Sequence, residues 1–222
     1  MEHENYEREL KYLLAEESDL SFEEILQFFD AHQYRLIETR LKKKNEAYYD
    51  EVNLSFIKKG DVIRASTHIN EKDTYFHFMY KKNVSDHNKP YVSKFEFGSG
   101  QFVSVQEFIA RLGINVNIQQ TPVLYAEMER ETAIVEKELH RLLISYDKVK
   151  YYKKVNTVTV CEKMLEIEDW TTPNTITNAD NEYDAHLHNI NELLLNSRLP
   201  LQLTTNSKPF RGLTILSEKG YF

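Results

Sequence analysis

Apolar and polar residues alternate along much of the chain with a period of two, the pattern of β-strands rather than helices. In 75–82, Phe76, Phe78 and Tyr80 alternate with His77, Met79 and Lys81; in 91–97, Phe95 and Phe97 alternate with Lys94 and Glu96. In 163–169, Leu165 and Ile167 alternate with Glu166 and Glu168. The first such segment, 5–14, sets Glu7, Glu9 and Lys11 on one face and Arg8, Leu10 and Tyr12 on the other. Segments 61–67, 127–135 and 139–147 also read as strands, joined by polar turns such as 70–73 and 83–90.

Three stretches break this rhythm with helical spacing. Ser21 followed by Glu24 is a capping box ahead of Phe22, Ile25, Leu26 and Phe29. A second box, Ser104 with Glu107, opens a helix that Gly113 ends. In 183–197, Leu187, Ile190 and Leu194 form one stripe that runs out before Pro200. The run 41–46, LKKKNE, reads as a solvated hairpin loop, and Ser207, Lys208 and Arg211 as exposed loop.

The polar strand faces carry charge of both signs in short matched pieces, unlike the Ser, Thr and Lys mixture of an ordinary wetted sheet. A sheet curled with its apolar face outward, under the capped helices, would place those charges in a lumen. No linker or repeat divides the chain. Residues 1–170 are expected to form the main unit and 171–222 a C-terminal helical appendage of the same domain.

Composition narrows the chemistry. With 41% hydrophobic and 28% charged residues, and no apolar run approaching a membrane span, the 222-residue chain falls in the soluble globular class. Its acidic, polar start lacks a secretion-signal profile, so a cytoplasmic location is expected. A lone cysteine, Cys161, excludes an internal disulfide and a cysteine-built zinc cage; it reads as a core residue. A net charge of -7 argues against a duplex nucleic-acid binder. Neither glycine-rich phosphate loop occurs, so any phosphate would be held by side chains. The histidines show no metal spacing, since His186 and His188 point to different helix faces.

Glu7-x-Glu9-x-Lys11, then Tyr48-Tyr49-Asp50 ahead of Gly60 and Arg64, and a late Glu166-x-Glu168 strand, resemble the CYTH superfamily of triphosphate tunnel metalloenzymes. The order of segments agrees over roughly 5–168. The resemblance implies an α+β fold: an eight-stranded antiparallel β-barrel, or tunnel, with a polar lumen and amphipathic helices packed outside. It also implies phosphate binding by Arg64, Lys81, Lys94 and Arg130, and Mg2+ or Mn2+ held by Glu7, Glu9, Asp147, Glu166 and Glu168. Lys11, if neighbouring cations lowered its pKa, would assist the attacking water. Arg141 is a reserve candidate, Glu162 reads as surface, and the run around Arg130 fits a strand or an exposed helix. Where the family has further polar or basic positions, this chain has Ser66, Met79 and Met128.

Arginine and lysine converging from several strands would hold a linear triphosphate, and hard cations favour carboxylate oxygens. The expected activity is therefore a metal-dependent phosphohydrolase acting on inorganic triphosphate or a small organic triphosphate, in a monomer or homodimer. Two readings stay open beside it: a class IV-type adenylate cyclase, and a non-catalytic polyphosphate- or nucleotide-binding module.

Overall fold

The computed structural model describes residues 3–69, 74–85, 88–99, 104–153, 158–171 and 179–221. The predicted turn at 70–73 lies outside them, as do the side chains of Phe76 and Phe95. Strands β1 (His3–Leu14), β2 (Arg35–Tyr49), β3 (Val62–Ile69), β4 (Thr74–Asn83), β5 (Val92–Ser99), β6 (Leu124–Lys137), β7 (His140–Tyr152) and β8 (Val160–Asp169) are hydrogen-bonded in the order β5-β4-β3-β2-β6-β7-β8-β1. A further β1–β5 pairing, with Glu7 opposite Lys94, closes the sheet on itself. The fold is thus the expected eight-stranded antiparallel barrel, and closure leaves no free sheet edge along the paired lengths. A short β9 (Leu201–Leu203) pairs with the end of β1.

Helices cover the outer apolar faces. α1 (Phe22–Ala31) carries the predicted capping box at Ser21 and Glu24 and buries Phe22, Ile25 and Phe29. Together with Leu187, Ile190 and Leu194 of α4 (Ala179–Leu195), these pack on Leu10, Tyr12, Val135, Ile144, Leu165 and Ile167. α2 (Ser55–Lys58) is a single turn. Its first amides, on Phe56 and Ile57, donate to the Asp50 carboxylate. α3 (Val105–Arg111) has its cap at Ser104 and is followed by Gly113 at φ +71, as predicted; it sets Phe108 against Phe78. No helix among the described residues is long and apolar enough to cross a membrane.

Three expectations are corrected. The stretch 41–46 is not a loop but the middle of β2, which pairs with β6 from Arg35 to Tyr48. Its strand character is hidden because the outer side chains there, such as Lys43, are solvated while the inner ones are charged, so no apolar alternation remains. Ser207, Lys208 and Arg211 are not exposed loop either: Ser207 stands at the N-cap of α5 (Lys208–Glu218), Pro209 lies in its first turn, and Ser207 and Lys208 are buried. Cys161 is exposed rather than in the core.

α5 also modifies the rule that apolar faces point outward. Its Leu213 and Leu216 pack with Tyr48, Leu124, Ala126, Met128, Val149 and Tyr151. Tyr48, Met128 and Val149 stand two residues from Glu46, Arg130 and Asp147 on their strands, and therefore on the charged, inner face. One end of the barrel is sealed by an apolar plug, and Met128 belongs to that seal. Gly212 permits the approach, because a Cβ there would meet Tyr151 Cδ1 at 2.6 Å and Leu124 Cδ2 at 2.8 Å. Gly212→Val is expected to lower stability by about 1–3 kcal/mol through overpacking. Thermal unfolding reads this directly, and limited proteolysis should show α5 cut faster than in the parent.

Candidate active site

Lumen-facing side chains reach a common space from all eight barrel strands and the start of α5. β1 supplies Glu7, Glu9 and Lys11; across it on β8, Glu168 lies opposite Glu9 and Glu166 opposite Lys11. The strand period of two puts all five on one face. Arg64, Lys81, Lys94, Arg130 and Lys208 line the same cavity, whose remaining space is about 50 Å³. That is room for a water or two at ~30 Å³ each. Of the other candidates, Asp147 is fully buried against Arg130. Arg141 shares the inward parity but sits at the rim, half exposed, and pairs with Glu136. Glu162 is largely buried rather than on the surface, and Arg211 Nε donates to its Oε1 at 3.0 Å.

The charges form three linked groups. In the first, Lys11 Nζ lies 2.7 Å from Glu9 Oε1, Lys94 Nζ lies 3.4 Å from the same oxygen, and Lys81 Nζ lies 2.6 Å from Glu7 Oε2 and also pairs with Glu96. In the second, Arg64 Nη1 lies 2.9 Å from Glu46 Oε1 while the Tyr48 hydroxyl donates to Glu46 Oε2. In the third, Arg130 forks onto Asp147 at 2.6 and 2.5 Å and reaches Glu166 at 2.6 Å. Lys208 bridges Asp147, at 3.0 Å, and Glu166. Glu166, 3.8 Å from Lys11, links the third group to the first.

Burial sets these groups against one another. Burial by itself would raise Glu9, but Lys11 and Lys94 draw it down to about 2. Glu46 is likewise drawn down to about 2 by Arg64 and Lys44 against its burial. Glu7 goes the other way, raised by burial and by Glu9, and Glu168 is raised well above the carboxylate range by burial and Glu7. Burial and the nearby Lys11 lower Lys94 to about 7. Burial opposes charge on Lys11, yet Glu9 and Glu166 hold its ammonium above the ordinary value. The lowered pKa that a base role for Lys11 would need is therefore not the state of this residue in its ion pairs.

Glu7 and Glu168 are pushed upward by burial and neighbouring carboxylates, while Glu9 is balanced by Lys11 and Lys94; carboxylate oxygens are the donors that a hard divalent cation favours. Glu166 and Asp147 are already engaged by Arg130 and Lys208.

Sequence reasoning missed Lys44, Glu46 and Lys208. The first two were hidden in the charged run of β2, and the third lies beyond the strands on a helix whose position only the folded chain reveals. The Tyr48-Tyr49-Asp50 motif divides its work: Tyr48 reaches the lumen, while Asp50 accepts from the Glu51, Phe56 and Ile57 amides.

Outside the lumen, His140, Asp169 and His186 approach within 4.8 Å. The two imidazoles stack at 3.9 Å with planes 25° apart, so their in-plane lone pairs do not aim at one point. His186 instead joins Asp169, at 3.2 Å, to the Tyr34 hydroxyl, at 3.0 Å, fastening α4 to the barrel. A larger groove of about 1010 Å³ runs past Leu14, Cys161 and Ile215 and is lined by charged residues of both signs, among them Glu127, Glu162, Lys150 and Arg211.

Neither a protein-family model nor a curated protein matches the sequence. Among solved structures, the chain is similar to PH1819 from Pyrococcus horikoshii OT3, at 18% identity and TM-score 0.57, over 95% of this chain and 99% of that one. It is also similar to HpAC1 from Hippeastrum, a protein with a dominant triphosphatase activity, at 12% identity and TM-score 0.47, covering 97% of each chain. A third is the Pct1 RNA triphosphatase of S. pombe, at 17% identity and TM-score 0.45, covering 85% of this chain and 84% of that one. The likeness to PH1819, over nearly all of both chains, establishes a shared fold.

The depressed carboxylates make acid stability a test of the lumen. Glu46 titrates near 2 in the folded protein against an ordinary 4.5, so its contribution is complete above 4.5 and is lost as pH falls toward 2. The span corresponds to about 3 kcal/mol. Urea unfolding at stepped pH should show Glu46→Gln with a flatter profile between pH 4.5 and 2 than the parent. At neutral pH the variant should be less stable by about 3–5 kcal/mol, because Arg64 loses its buried partner.

Proposed function

We propose that this protein is a metal-dependent phosphohydrolase of the triphosphate tunnel type, cleaving the terminal phosphoanhydride of inorganic triphosphate or a small organic triphosphate. The observation that carries the reading is one enclosed lumen where basic side chains from five strands and α5 converge beside carboxylates that burial and mutual repulsion push upward. The order of the sequence motifs agrees with it. Fold by itself does not fix chemistry, so the weight rests on the side chains.

In this reading Arg64, Lys81, Lys94 and Arg130 hold the phosphoryl oxygens, with Arg130 able to fork bidentately as it does now onto Asp147. Lys11 keeps its proton and donates to the substrate instead of accepting from water. Glu7, Glu9 and Glu168 would hold Mg2+ or Mn2+. Such an ion supplies charge neutralisation at the phosphates and orientation of a water. Arg64, Lys81, Lys94 and Arg130 are already engaged by carboxylates, so an entering polyanion must displace those carboxylates from their lysines and arginines. The small cavity requires the same parting of side chains. Asp147 and Glu166, released from Arg130 and Lys208 in that exchange, are the remaining candidates for the metal.

The binding-module reading draws support from the same balance, since a lumen neutralised internally and carrying Ser66 and Met128 where cations were expected has less charge to offer a transition state. Phosphate release from inorganic triphosphate, ATP and thiamine triphosphate, with Mg2+ or Mn2+ and then with chelator, separates the readings. Metal-dependent orthophosphate release is expected, and Arg64→Ala or Lys81→Ala should lower kcat by roughly 10²-fold or more. Cyclic AMP and pyrophosphate from ATP would move the assignment to the cyclase. Tight triphosphate binding without release on any substrate would leave a binding module.

A further inference from the structure

The start of α5 is held in the lumen from both sides. Before it, Leu203 of β9 pairs with Tyr12 of β1, and the amide of Thr204 donates to the Lys11 carbonyl at 2.9 Å. After it, Gly212 lets the helix settle on Tyr151 and Leu124. Pro209, in the first turn, restricts the backbone between these anchors. Ser207, Lys208 and Pro209 are thereby carried to the wall of the charged cavity.

Lys208 is satisfied there by Asp147 and Glu166, whereas Ser207 is not. Its backbone, at φ -71 and ψ 154, is that of a helix N-cap, where a serine ordinarily accepts from the second or third amide of the helix. Here the second residue is Pro209, which has no amide hydrogen, and the hydroxyl makes no cap bond to the third. Ser207 is 2% exposed, and among the described residues its Oγ has no hydrogen-bond partner. A buried hydroxyl left in that state costs folding free energy, so its place in the cavity wall calls for a group that completes it.

A second atom on the same wall indicates the kind of group. Arg64 gives Nη1 to Glu46 and meets Met79 Sδ with Nη2 at 3.2 Å, but its buried Nε has no acceptor among the described residues. A guanidinium nitrogen can only donate and a hydroxyl can donate, so an acceptor suits both. The helix adds to this. Its first amides have no carbonyl one turn back, and the bond from Arg211 N to Ser207 O, at 3.0 Å, is where the helical pattern begins. The positive end of the α5 dipole therefore lies at the cavity together with the Lys208 ammonium, a setting that favours an anionic acceptor.

Resting on the triphosphate reading above, we infer that Ser207 and the first turn of α5 form an anion seat of the lumen, in which the Ser207 hydroxyl donates to a phosphoryl oxygen of the substrate. The seat differs in kind from the lysine and arginine positions. Those give up a carboxylate before they receive phosphate, whereas the Ser207 hydroxyl gives up nothing. The helix that seals the tunnel with Leu213 and Leu216 thus also takes part in recognition at its other end.

Calorimetry with a non-hydrolysable imido analogue of inorganic triphosphate, in the presence of Mg2+, and thermal unfolding of the free protein read binding and stability separately. Ser207→Ala should bind the analogue roughly 10-fold more weakly, the loss expected for one hydrogen bond to a charged group. In the free state it should unfold at the parent's temperature or above, since no cap bond is lost and an unpartnered hydroxyl is removed. Ser207→Thr keeps the hydroxyl and should recover most of the affinity. Parent-like affinity in Ser207→Ala overturns the assignment and leaves the hydroxyl to hydration alone. A free Ser207→Ala that unfolds several degrees below the parent overturns it as well, by making the hydroxyl a helix cap. Failure of the parent itself to bind the analogue would instead overturn the triphosphate reading.

Discussion

The constraint on which this structure depends is that charge sealed inside a barrel must be balanced there. Water cannot screen the lumen, so each buried ion has to find an opposite charge or give up its ionisation. The ladder of ion pairs from Lys94 through Glu9, Lys11 and Glu166 to Lys208 is the first solution. Raised carboxylates at Glu7 and Glu168, with lowered lysines at 44 and 94, are the second. The residues in the second class mark where the protein alone does not satisfy its own electrostatics, and two of them, Glu7 and Glu168, are proposed metal carboxylates.

The apolar plug gives that constraint its force. With Leu213 and Leu216 seated on Tyr48, Leu124 and Tyr151, one end of the tunnel is closed, and the start of the same helix delivers Lys208 into the charged zone. One element therefore excludes solvent and contributes a cation. Closure also explains Met128: a charge at that position would stand in the seal, against α5, rather than against a ligand.

Much of the site was legible in the sequence because a strand has a period of two. Glu7, Glu9, Lys11, Lys81, Lys94, Glu166 and Glu168 alternate with residues that helices cover, so the apolar partner of each charge announced which way the charge must face. Lys44 and Glu46 gave no such signal, since the neighbouring Lys43 and Asn45 look toward solvent and the strand reads as uniformly polar. Arg141 was misplaced for a related reason: parity identifies the inner face but not how far along the barrel axis the closed region extends.

By itself, then, the sequence determined which face of most strands turns inward, where the capped helices begin, and that the inner face is charged with both signs. Those properties follow from local stereochemistry and from the period of the backbone. Which cation meets which carboxylate, which ones are left over, and how far each pKa moves were decided by tertiary structure alone. Coulomb energies and desolvation depend on distance and burial between residues far apart in the chain, such as Lys11 and Glu166 or Asp147 and Lys208, and only the closed barrel sets those.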